Sequence, residues 1–210
     1  MAAASVVTSL GLDRTAGDTV EVHELGTERL LLRPWRAQDR APFAALNADP
    51  EVMRHFPGSM SRSESDELAE RIETAMAQEG WGLWALEQRD GGRFIGFTGL
   101  ARPGFDAPFM PAVEIGWRLA RDAWGHGYAS EAARAAAAFA FDQLGLDEIV
   151  SLAVVANNRS RAVMRRLGMH HDPADDFDHP RIGAEHAHLR RHVLYRLRAA
   201  DWQSARGSGG

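Results

Sequence analysis

The segment that most constrains this chain is residues 114–132, EIGWRLARDAWGHGYASEA. A strand pattern runs into two closely spaced glycines and then into an alanine-rich helical run that Gly145 ends. A helix start leaves about four backbone N–H groups unpaired, and the helix dipole adds positive partial charge there. Gly125 and Gly127 let main chain approach an anion closely and can take positive φ, so that successive N–H groups converge. The segment reads as an anion cradle suited to a phosphate or pyrophosphate. Alone, it leaves a second reading open: a helix start with turn glycines and no ligand.

Composition narrows the ligand. All 24 Lys+Arg residues are arginine, so the Gly-Lys-Ser/Thr loop of nucleoside triphosphatases is excluded. The dinucleotide fingerprint is half present: Ser130 stands where its third glycine would be, and Asp147 lies near where a ribose-binding acid would be. Against it, three strands precede the turn with no helix between them. The chain has no cysteine, which excludes a disulfide framework, a thiolate metal site and a Cys nucleophile. A formal charge of −5 argues against nucleic-acid binding. No apolar run reaches the roughly 18 residues of a membrane span, and residues 1–14 lack the basic start of a signal peptide, so the expected location is cytoplasmic.

The remaining pattern predicts one domain over residues 27–203, with a flexible leader at 1–26 and a flexible tail at 204–210. Residues 27–35 (TERLLLRPW) read as a strand stopped by Pro34. Residues 37–48 read as a helix, and Ser61 or Ser63 can cap a second one, whose stripe is Leu68, Ile72, Ala75 and Met76. Strands follow at 81–87, 93–100 and 112–119, the first two joined at Asp90-Gly91-Gly92. After the long helix come a strand at 148–155, a helix at 158–167 and a last strand within 188–199. Antiparallel strands followed by a single strand–helix–strand crossover predict an α+β mixed sheet, mostly antiparallel.

Taken with the stretch after the 148–155 strand, the chain resembles the GNAT superfamily of N-acetyltransferases, in its RimJ/RimL-type branch of ribosomal-protein N-terminal acetyltransferases. The W-G-x-G-Y-A-x-E-A turn of that family matches residues 124–132. Its N-x-x-S followed by Gly matches Asn157, Ser160 and Gly168, and its T-E-R-L-L-L-R opening matches residues 27–33. The resemblance implies a six- to seven-stranded sheet splayed between its two central strands and flanked by helices. It implies acetyl-coenzyme A as cosubstrate. Gly125, His126, Gly127, Tyr128 and Ala129 would take the pyrophosphate, with Trp124 also among the donor-binding residues. Ile115, Trp117, Arg118 and Leu119 would line the pantetheine strand, with Asn157 at the pantetheine. Ser160, expected at a helix N-cap, would lie near the sulfur.

Acetyl transfer by direct attack then needs a base for the amine and an acid for the leaving thiolate. Glu114, a carboxylate in an apolar strand, is the expected base and Ser160 the expected acid. Asp178 or His179 is a rival base, because residues 170–192 hold six of the nine histidines and follow the second motif as a loop at the acceptor mouth. No metal is expected from that segment, which lacks an H-x-x-x-H pair on a clear helix. Two positions depart from the family. Asp122 replaces a common Gln or Arg before the turn, and Met164 replaces a tyrosine acid. The acceptor would be a primary amine, on a small molecule or a protein N-terminus, and the protein a monomer or homodimer. A non-catalytic acyl-coenzyme A binding or sensing module is the alternative.

Overall fold

The computed structural model describes residues 21–207. The leader expected at 1–26 falls mostly outside them, as do the last three residues of the expected tail. At both domain boundaries the chain is more ordered than its composition implies. Leu25–Gly26 forms β1 and pairs with β2 (Leu30–Arg33). The His23 carbonyl accepts from the buried Trp84 indole at 2.6 Å, so this stretch belongs to the domain. At the other end α5 (Ala199–Gly207) runs through four residues assigned to the tail and buries Trp202 against Phe141.

Local rules account for the helices. The buried Arg33–Asp39 pair anchors a short turn that leads into α1 (Arg40–Ala48). Ser61 caps α2 (Arg62–Glu79) in a reciprocal box with Glu64, and Gly80 ends it at φ 77°. β3 (Leu83–Gln88), β4 (Phe94–Ala101) and β5 (Glu114–Leu119) then run antiparallel in turn. The crossover is α3 (Tyr128–Asp142), which lays Ala132, Ala133, Ala136, Ala137 and Ala140 on the sheet. Alanines at that spacing let the helix approach closely.

The crossover ends in β6 (Glu148–Val154), followed by α4 (Asn158–Arg166). β7 (His170–His171), β8 (Phe177–Asp178) and β9 (Arg191–Arg198) complete a nine-stranded sheet in the order β1-β2-β3-β4-β5-β6-β9-β7, with β8 also on β9. Six of these strands have four or more residues; β1, β7 and β8 have two each, which is why the sequence suggests fewer. The region 170–192, expected as a loop, instead contributes β7 and β8, because β9 has a second edge to fill.

One pair is parallel, β5 with β6, and it meets only at Glu114↔Val150. Val150 N–H donates to Val113 O at 2.9 Å. One step on, the Ile115 carbonyl accepts the Ser151 hydroxyl at 2.9 Å, where a continued ladder would offer it a backbone N–H. From there the central strands part.

Candidate active site

The opening between β5 and β6 is part of a cavity of about 1800 Å³. It extends from the glycine turn ahead of α3, along β5, to the segment between α1 and α2 and to residues near β8.

At the first end, Gly125 and Gly127 have φ of 82° and 83°, the left-handed region that a side chain strains. Gly127 directly precedes α3. Among the described residues, the N–H groups of residues 125–130 have no backbone acceptor, and Glu131 N–H makes the first helical bond, to Gly127 O. The turn is held from outside. Glu131 accepts from Thr27 Oγ1 at 2.6 Å, Arg29 N–H at 2.9 Å and Arg29 Nε at 2.7 Å. Arg29 Nη1 donates to His126 O at 3.0 Å, and the guanidinium lies 4.8 Å from the centre of the Tyr128 ring. The T-E-R opening and the glycine turn thus form one unit, joined across about a hundred residues. Sequence alone assigns Arg29 no role. The signal was present as two separate matches, but nothing local links them. Asp122 points away and pairs with Arg93 in an exposed ion pair. Arg159 covers Trp124 at 4.3 Å.

Along β5 the backbone alternates. Ala120 N–H donates to Ile95 O, so Glu114, Gly116 and Arg118 turn their peptide groups toward β4. Ile115, Trp117 and Leu119 turn theirs toward β6. The Leu119 carbonyl is taken by the Trp124 indole at 2.9 Å. The N–H and C=O of Trp117 and the N–H of Leu119 form an open edge. Arg118, expected among the donor-binding residues, lies off that edge: its peptide faces β4 and its side chain faces α1.

Asn157 is the N-cap of α4, its Oδ1 accepting Ser160 N–H at 3.1 Å. Ser160 sits inside the first turn rather than at the cap expected of it, because α4 starts at Asn158 and Asn157 takes the cap position. The bond leaves the Asn157 amide NH₂ as a donor. Met164 is buried beneath.

At the far end, Glu114 shares one face of β5 with Gly116 and Arg118. Among the described residues nothing donates to its carboxylate. Surrounding protein penalises the charge and pushes its pKa from 4.5 up to about 7, although the cavity keeps the side chain partly accessible. His179 also lines the cavity, 8% exposed, its ring 4.5 Å from Phe105. Burial, then the nearby His192 and Arg181, hold its pKa down to about 4. Its Nδ1 accepts Arg181 N–H at 3.2 Å, so the backbone engages the lone pair that a base would use. Asp178 is exposed beside Arg190 and Arg191 and does not line the cavity. Among the described residues no group of three or more His, Asp or Glu side chains is placed to hold a metal ion, and no helix is long and apolar enough to cross a membrane.

Comparison with known proteins adds an independent line. Residues 29–170 match the family model described as an acetyltransferase (GNAT) domain. The FsC-acetyl coenzyme A-N(2)-transacetylase of Aspergillus fumigatus is 31% identical over 189 residues, 85% of this chain and 77% of that protein. Among solved structures, an acetyltransferase from Agrobacterium tumefaciens superposes with a TM-score of 0.68 at 28% identity, covering 89% of this chain and 99% of that one. RimL, a ribosomal L7/L12 alpha-N-protein acetyltransferase solved with coenzyme A, shares the fold at 16% identity, with a TM-score of 0.66 over 84% of this chain and 98% of its own.

Proposed function

Because this chain belongs to the GNAT family of acetyltransferases and is an acyltransferase, we propose that it moves acetyl from acetyl-coenzyme A to a primary amine by direct attack. The observation that carries this reading is one continuous path. Unpaired N–H groups at residues 125–130 lead along the open edge of β5 to Glu114, all within one cavity.

The turn and the first residues of α3 would bind the pyrophosphate through main-chain donors, with Arg29 close by. Trp117 and Leu119 would hydrogen-bond the pantetheine amides as an added strand would. The Asn157 amide would donate to the same arm. Glu114, ionised, would take the proton of the incoming ammonium, directly or through one water, and the freed nitrogen pair would form the N–C bond. The C–S bond breaks, Ser160 would supply the proton that turns the leaving thiolate into free coenzyme A, and the second proton shed by the acylated nitrogen would restore the Ser160 hydroxyl. A pKa of about 7 suits Glu114 to that role, since it is half ionised at neutral pH and basic enough to accept the proton. Asp178 and His179 give way to it for the reasons of placement and hydrogen bonding above.

We assign the protein to the RimJ/RimL-type branch on its T-E-R opening and W-G-x-G-Y turn, with a small amine or a protein N-terminus as acceptor. Release of free thiol from acetyl-coenzyme A in the presence of an amine panel tests the reading. Acceptor-dependent thiol release supports it. Coenzyme binding without turnover on any amine would point instead to the binding-module alternative.

A further inference from the structure

Among the described residues two arginines are buried in the sheet, and they differ in one respect. Arg33, fully buried, meets Asp39 at 2.7 Å and Glu87 at 2.7 Å. Arg118, 8% exposed, meets no carboxylate. Its Nη1 donates to the Asn47 carbonyl oxygen at 2.6 Å, and the Asn47 amide is fixed by donating to Ser65 Oγ at 2.9 Å. Its guanidinium lies 4.3 Å from the centre of the Phe56 ring and 5.5 Å from that of Phe97. Its Nε has no partner. All its contacts are neutral. A guanidinium removed from water without a counter-charge is destabilised, and here burial alone lowers its pKa to about 10.

The location gives that charge a use. Arg118 lines the cavity, as do Gly116 and Glu114 on the same strand face. A Cβ at Gly116 would meet no atom within 4 Å, so the floor between the acid and the cation is open. Four residues of strand separate the two Cα atoms by roughly 13 Å, and neither side chain's pKa carries an interaction with the other: burial is the only influence on each. Phe56, Phe105 and Ile72 add apolar wall.

We propose that Arg118 is a specificity residue that binds a carboxylate of the acceptor, so that the acceptor is an amine carrying its own carboxylate, as an amino acid or an acidic peptide does. The inference rests on the acetyl-transfer reading above and deepens it. The amine end lies toward Glu114, the carboxylate toward the Arg118 fork, and the chain between them crosses Gly116. The acceptor thereby supplies the counter-charge that Asp39 and Glu87 supply to Arg33.

The test compares amines that differ only in charge at the far end: amino acids of graded amine-to-carboxylate spacing, their carboxamides, and short peptides with acidic or neutral second residues. For the wild-type protein the expected result is a preference in kcat/KM of at least about tenfold for an acid over its amide, a size ordinary for a charge-assisted hydrogen bond. The free amino acids and the peptides separate the two sources of that carboxylate. Arg118→Gln should abolish the preference with the KM for acetyl-coenzyme A unchanged, and Arg118→Lys should restore part of it. Equal turnover of acids and amides by the wild type would overturn the inference. So would an Arg118→Gln variant whose defect is confined to acetyl-coenzyme A. If no amine is turned over, the acetyl-transfer reading fails instead. Calorimetry of the same acids and amides on the coenzyme-loaded protein then still decides whether Arg118 selects carboxylates.

Discussion

The two ends of the cavity are built from different materials. The turn end uses main chain: two left-handed glycines, a helix start, and a clamp in which Arg29 and Glu131 satisfy each other. Its carboxylate is held below the usual range, because hydrogen bonds from Thr27 and Arg29 outweigh the burial that opposes them. The far end uses side chains. Glu114 and Arg118 are crowded by protein, have no opposite charge, and both shift toward their neutral forms. The paired end is satisfied within the protein, whereas the unmatched charges at the far end are the kind of perturbed groups that cluster where substrates bind and react.

This contrast should break first at Glu114. Glu114→Gln is expected to lower kcat by roughly 10²–10⁴-fold, with the affinity for acetyl-coenzyme A unchanged. In the wild type, kcat/KM should climb through a limb near pH 7 that the variant lacks. A variant within a few-fold of wild type, or one that retains the limb, would move the base elsewhere.

The same substitution should stabilise the fold. Burial favours the protonated form of Glu114, so its unfavourable contribution is absent below the unfolded pKa near 4.5, grows as pH rises to about 7, and is constant above. Glu114→Gln should therefore gain on the order of 1–3 kcal/mol at pH 8 relative to pH 4. Denaturant melts at the two pH values would show it, and a pH-independent difference would contradict it.

Glu131→Ala probes the paired end. Losing the clamp frees Thr27 and Arg29, and the Kd for coenzyme A should rise about tenfold, while the pH limb of kcat/KM stays in place. A shifted limb would mean that the two ends are not independent.

The smallest effect is expected at Ser160. A thiolate with a pKa near 8.5 is a fair leaving group unaided, so Ser160→Ala should reduce kcat only a few-fold, more at high pH than at low. A loss of a hundredfold or more would make its hydroxyl an obligatory acid.

The same contrast explains what could be read from the sequence. The glycine turn is local: Gly125, Gly127 and the helix behind them lie within one stretch, so spacing suggests a cradle, whereas its clamp to Thr27 and Arg29 spans about a hundred residues and has no local signal. The Ser61–Glu64 box and the alanine face of α3 are local in the same way. Period-2 alternation places Glu114, Gly116 and Arg118 on one strand face, but whether that face meets solvent, core or cavity depends on α1 and on the segment that carries Phe56. Where the central strands part, the Ser151 hydroxyl takes the Ile115 carbonyl, a contact that no pattern marks. Asn157 rather than Ser160 caps α4 because either residue type can do so, and only the backbone decides. The β7 and β8 pairings depend on the free edge of β9, a tertiary feature with no sequence period of its own.

Amide hydrogen exchange with and without coenzyme A, resolved to single residues, is the most direct examination of the central claim. Slowed exchange at Trp117, at Leu119 and over residues 125–130, with little change in β2 or β3, is the predicted result. Protection elsewhere, with those amides exchanging as fast in the bound protein as in the free one, would contradict it.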